Sequence, residues 1–351
     1  MNAVVRIAAG VVGAGIVAVV LDAVVRTFVL PRGARVRMVR TIARSTRAIF
    51  GMFAPTSAPF ERRDRVLALF APITLLCIAF VALAGVLFGF ALAFVAVDGA
   101  TLPTALRWSG SAVFTLGYAV PSHGVATALV FGEAAIGLGL LALLIAYLPS
   151  IYSAFSRREA TVTHLSVRAG TPPSAVELLS RAHRAQFLHH LDPLFETWES
   201  WFVDIEETHT TFVSLVFFRS PNPHRSWITA AGAMLDTAAL RLSVIDEPFS
   251  PPTALCLRSG FLALRAVADI MGIGYDPDPA PDAPISIERG EFDAVCRQLE
   301  DVGLPLVADR DAAWRAFAGW RINYDAVLIE IARRLVAPAA PWSSDGRSVP
   351  T

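Results

Sequence analysis

The sequence predicts an all-α membrane protein with three transmembrane helices, a short re-entrant helix and irregular loop between the second and third, and an all-helical cytoplasmic domain. Three observations predict it. Apolar runs at about 3–30, 66–97 and 125–148 each exceed the roughly 20 residues that cross a bilayer. From about residue 157 the composition turns mixed and charge-rich. In that second half apolar residues recur at helical spacing, and strand-like alternation is scarce.

The first run is longer than the apolar core of a signal peptide, and no clear small-residue cleavage site follows it, so it reads as a retained helix. Asp22 and Arg26 stand one turn apart near its end, placed either to pair or to snorkel toward headgroups. Residues 31–65 carry nine arginines against Glu61 and Asp64, whereas 98–123 carry only Asp98 and Arg107 as full charges. The positive-inside tendency then puts 31–65 and the C-terminal half in the cytoplasm, with the N-terminus and 98–124 outside a cell membrane.

Arg37, Arg40, Arg44 and Arg47 recur at helical spacing, with Val39, Ile42, Ala43, Thr46, Phe50 and Phe53 on the other side. Two readings fit. One is an amphipathic helix lying on the lipids of the inner surface; the other is a basic loop that only sets topology. Ala54-Pro55-Thr56-Ser57-Ala58-Pro59 ends the segment.

The connection after the second run is too short for a domain. Thr101-Leu102-Pro103 reads as a helix start, with a threonine cap and proline in the first turn. A helix over 104–114 would re-enter the membrane from outside. Thr115-Leu116-Gly117-Tyr118 follows, and the chain returns at Pro121-Ser122-His123-Gly124. Irregular backbone at that depth survives only inside protein or beside water.

This arrangement resembles the pore domain of the potassium channel family over residues 66–155. The resemblance implies a homotetramer. Backbone oxygens of Thr115, Leu116, Gly117, Tyr118 and Ala119 would then replace the hydration shell of potassium or another monovalent cation, with no other cofactor. It implies that Tyr118 packs near Trp108, and that Gly137 and Gly139 lie where an inner helix often hinges, simple helix packing being the alternative. Pro149 would bend that helix or mark its end. Glu133, the only full charge in the third run, would support the filter, sense protons, or sit as a carboxyl satisfied by its neighbours. Two residues depart from the family pattern: Ala119 stands for a glycine and Val120 for a common acidic residue. A left-handed Ala119 would cost roughly 1–2 kcal/mol. A pore-fold receptor or scaffold that does not conduct is the alternative.

The chain divides by composition into 1–65 (first span and basic segment), 66–156 (pore domain), 157–336 (helical domain) and 337–351 (a disordered tail). Helices are expected near 172–188, 193–218, 225–245, 251–272, 290–302 and 309–336, with starts at Thr171-Pro172-Pro173 and Ser250-Pro251-Pro252. No GxGxxG follows a strand, so nucleotide gating by a Rossmann domain is not expected. His183, His189, His190 and His209 with Glu196, Glu206 and Glu207 raise a metal site, but no HExxH occurs and solvated helix faces explain them better. Trp198, Trp201, Phe202, Phe212, Phe217 and Phe218 read as core or subunit contacts rather than a ligand pocket. Cys77, Cys256 and Cys296 are too far apart for a zinc or disulfide pattern. No catalytic pattern has enough context for an enzyme. The balanced charge gives no nucleic-acid partner, and all thirty Lys/Arg positions are arginine.

Overall fold

A computed structural model describes residues 2–30, 36–55, 57–122 and 124–343. Among them the chain is helical, with one isolated antiparallel bridge from Ile245 to Leu306 and no strand. Two compact units form, one from Met1–Pro55 and Leu69–Ser153, the other from Thr56–Ala68 and Ala154–Thr351. Three helices are long and apolar enough to cross a membrane: Ala3–Val29, Phe60–Asp98 and Gly124–Ala169.

In the first unit, α1 (Ala3–Val24) ends in a π turn over Val25–Val29 and packs along α4 (Phe70–Asp98). Small residues set the distance. A Cβ on Gly13 would stand 2.5 Å from the Gly89 carbonyl oxygen, and one on Gly85 2.6 Å from Val20 Cγ2. Helices in lipid gain little from hydrophobic association, so close backbone approach is what joins them. Arg6 donates to the carbonyls of Ala96 and Val97 (2.9 and 2.6 Å), which satisfies the last turn of α4. The start of α1 therefore lies beside the end of α4. At the far end of α1, Asp22 and Arg26 pair at 2.7 Å. Phe80, Phe131 and Ile145 turn their side chains outward, a surface suited to lipid or to another copy.

The basic segment forms a helix, α2 (Arg37–Phe53), packed on α4. All four stripe arginines are exposed, Thr46 is buried, and Phe50 meets Phe70 edge-on with ring centroids 5.9 Å apart. Phe53, expected on the side opposite the arginines, is exposed with Ile49 and Met52. Arginines and bare apolar side chains thus occupy different arcs of one helix.

The second unit begins with α3 (Phe60–Ala68), which leads directly into α4. A largely buried ion pair joins Asp64 to Arg219 Nε. The two remaining Arg219 nitrogens donate to the Leu335 and Val336 carbonyls at 2.7 Å each, closing the last turn of α13 (Asp325–Leu335). Helix α6 (Gly124–Ala169) runs without interruption through Pro149, so the proline does not mark the helix end. Beyond it Ala154, Arg158, Val162, Leu165 and Ala169 are buried at helical spacing, and that packing carries the helix on.

The remaining helices are α7 (Ala175–Arg184), α8 (Asp192–Thr211), α9 (Trp227–Ser243), α10 (Pro251–Met271), α11 (Arg289–Asp301) and α12 (Arg310–Arg321). They share one core, in which Trp198, Phe202, Met234, Leu264 and Phe317 are buried. Four expectations change. The start at Thr171 gives way to Ser174, whose hydroxyl accepts from the Glu177 N–H and caps α7. The long helix over 193–218 stops at Thr211 and tightens to a 3-10 turn over Val213–Phe217. The helix over 309–336 is two, because the Asn323 side-chain amide donates to the Gly319 and Trp320 carbonyls and ends α12. Finally, residues 337–343 are packed rather than disordered. Ala340, Trp342 and Ser343 are buried, and a Cβ on Gly232 would strike Ser343 Oγ. Residues 344–351 lie outside the described residues.

Candidate functional site

The loop of interest follows α5 (Leu102–Val113), which packs on α4 and enters the same apolar core through Ala105 and Val113. Thr101 holds the extended N-cap position; its hydroxyl bonds the Thr104 hydroxyl (3.0 Å) and Pro103 sits in the first turn, as expected. One residue of the last turn, Ser111, organises what comes next. Its carbonyl accepts from the N–H groups of Leu116 and Gly117 (2.8 and 3.4 Å), and its hydroxyl accepts from the N–H of Ala119 (3.1 Å).

Those bonds fix the carbonyls. In a trans peptide the N–H and the preceding C=O point to opposite sides. The Thr115, Leu116 and Tyr118 carbonyls therefore turn away from Ser111. Alternation of hand permits it, with left-handed backbone at Thr115 (φ 52°) and Gly117 (φ 69°). Ala119 is not left-handed, so the strain expected there is absent. The non-glycine that bears it is Thr115, at roughly 1–2 kcal/mol. In the single chain Leu116 and Tyr118 are 63% and 61% exposed.

Behind the loop, Glu133 of α6 is fully buried and its Oε1 meets the hydroxyl of Ser109 on α5. The same hydroxyl lies 2.8 Å from the Leu87 carbonyl of α4. A hydroxyl has one proton to give and a carbonyl none, so both contacts are hydrogen bonds only when the carboxyl supplies a proton. Three helices meet at that one oxygen. Trp108 packs edge-on against Phe94 (6.0 Å), not against Tyr118 of its own chain. Gly137 is a packing residue: a Cβ there would stand 2.3 Å from the Val113 carbonyl oxygen, whereas Gly139 faces open space. Pro149 lies far along the unbroken α6.

In the second unit the histidines do not gather. Among the described residues no cluster of three metal-ligating side chains occurs. Glu196, Glu206 and Glu207 are exposed, and His189 pairs with Glu247 at 2.9 Å. His209 is fully buried against Arg158, whose guanidinium also donates to the Leu215 and Phe218 carbonyls (2.9 and 2.7 Å) and pairs with Glu159. Arginine can only donate, so His209 Nε2, 3.2 Å away, is the acceptor and the ring proton sits on Nδ1. Burial first, and the Arg158 charge second, hold His209 well below its ordinary value.

Ser109 and Ser111 are the residues that sequence reasoning missed. The signal was Ser109-Gly110-Ser111, small polar residues in the final turns of a helix that ends at an irregular loop. Comparison of the chain with protein-family models, characterised proteins and solved structures finds no match.

Proposed function

We propose that the chain is one subunit of a homotetrameric cation channel of the potassium-channel type, with 115–119 as its filter. The observation that supports this reading is the backbone of the loop, in which Ser111 takes the N–H groups of Leu116, Gly117 and Ala119 and the Thr115, Leu116 and Tyr118 carbonyls turn away from it. Such oxygens replace the hydration water of a monovalent cation when four copies surround an axis. One chain supplies a quarter of that cage. The bare Leu116, Tyr118 and Val120 side chains would be covered by neighbouring copies. In this reading α5 is a re-entrant pore helix and the second unit is cytoplasmic. The stripe of Arg37, Arg40, Arg44 and Arg47 faces anionic headgroups of the inner leaflet, and the N-terminus lies outside the cell membrane.

Flux through purified protein in liposomes tests the reading. A potassium gradient should drive a current that sodium carries less well, and mass measurement in native-like lipid should give a tetramer. A stable monomer removes the pore. A tetramer that stays silent to both cations leaves the fold without conduction, as in a receptor or scaffold.

A further inference from the structure

A cleft of about 420 Å³ opens in the second unit between the late turns of α6 and the start of α8. That volume lies within the range of small-molecule sites. Its polar lining is cationic or neutral: Thr161, His164 and Arg168 from α6, His190 from the turn Leu188–His190, and Thr197 from α8. His164 and Arg168 are four residues apart and share a helix face. No carboxylate lines the cleft among the described residues. Asp192, at the neighbouring first turn of α8, is engaged by Arg241 and Ser250 at 2.6 and 2.8 Å. Arg168 lines the cleft at an exposed position and makes one long hydrogen bond, 3.4 Å to the His164 carbonyl. Leu165, Phe187, Leu194 and Trp198 supply an apolar wall, and the first turn of α8 presents the positive end of its dipole.

We propose that this cleft binds a small organic anion. Arg168 and the two imidazoles hold its carboxylate or phosphate head, and its ring or chain lies along Trp198 and Phe187. A guanidinium suits either head because its planar donors match paired oxygens. Aromatic walls add area that inorganic phosphate cannot use. Binding is independent of conduction, so a silent pore leaves it untouched.

The test is calorimetric titration of the full chain in lipid nanodiscs with phenyl phosphate and with benzoate, which separates the two heads. Phenol, benzylamine and inorganic phosphate serve as controls. At least one aromatic anion should bind saturably, one per chain, at least tenfold tighter than each control. Arg168→Gln and His190→Gln, both at exposed positions, should each weaken it by about tenfold, as loss of one charge-assisted bond implies. Thermal melting checks that the variants fold; if they do not, Thr197→Val on the exposed face of α8 provides the readout. Phenol binding as well as the anions would overturn the charge assignment, and inorganic phosphate binding as well would overturn the apolar one. No saturation up to about 10 mM, or unchanged binding in the variants, would overturn the site.

Discussion

Replacing Ser111 by alanine removes one hydroxyl acceptor and leaves both backbone bonds to its carbonyl in place. The Ala119 N–H then loses its partner, at a cost of about 1 kcal/mol, and the loop should lose definition while α5 stays helical. Reversal potentials under potassium and sodium gradients should therefore separate less in Ser111→Ala than in the parent. Ala119→Gly, by contrast, relieves no strain, because Ala119 is not left-handed. It should leave selectivity unchanged and destabilise slightly, through the added freedom of the unfolded chain. A second residue-scale effect concerns His209. The folded chain keeps this ring neutral, while the unfolded chain takes up a proton near pH 6.5. Below that pH the unfolded state binds more protons, so stability falls as pH drops, by up to about 1.4 kcal/mol per unit. Melting temperatures at pH 7.5 and 5.5 should differ more for the parent than for His209→Gln, whose amide oxygen can still accept from Arg158.

Helix contacts decide the next scale, and Gly137 and Gly139 give opposite results there. A methyl group on Gly137 meets the Val113 carbonyl, so Gly137→Ala must push α6 off α5, at about 1–3 kcal/mol. Gly139→Ala meets nothing and gains helix propensity, up to about 1 kcal/mol. Thermal melts in one detergent should move in opposite directions. The helices themselves were legible: hydropathy located the three helices apolar enough to cross a membrane, and periodicity located most of the helices of the second unit. What escaped were features set by a distant partner. The split before α13 depends on an Asn323 side chain that reaches back to carbonyls of α12. The packed tail depends on Gly232, more than a hundred residues earlier. At the candidate site, Thr115–Ala119 could be read from their order alone. Ser109-Gly110-Ser111 flags Ser109 as a small polar residue, but its partners, Glu133 and the Leu87 carbonyl, are known only where α4, α5 and α6 meet.

Across the whole molecule, the contact between Asp64 and Arg219 ties the segment before α4 to the rest of the second unit. Both side chains are mostly buried, so removing either leaves a charge without its partner, at about 3 kcal/mol. Arg219→Ala should also free the last carbonyls of α13 and cost more than Asp64→Asn. In a double-mutant cycle followed by melting, the two losses should fall short of additive, since each removes the same ion pair.

That pairing also has a consequence for how the protein is made. Asp64 and Arg219 are 155 residues apart, and two apolar helices are synthesised between them. At a translation rate of roughly 5–20 residues per second, Asp64 waits on the order of ten seconds for its partner. Throughout that interval the Asp64 carboxylate is without the Arg219 guanidinium that it meets in the folded chain. The second unit therefore cannot form this pair until both apolar helices have been synthesised, so the order of the sequence separates their synthesis from this step of assembly in time.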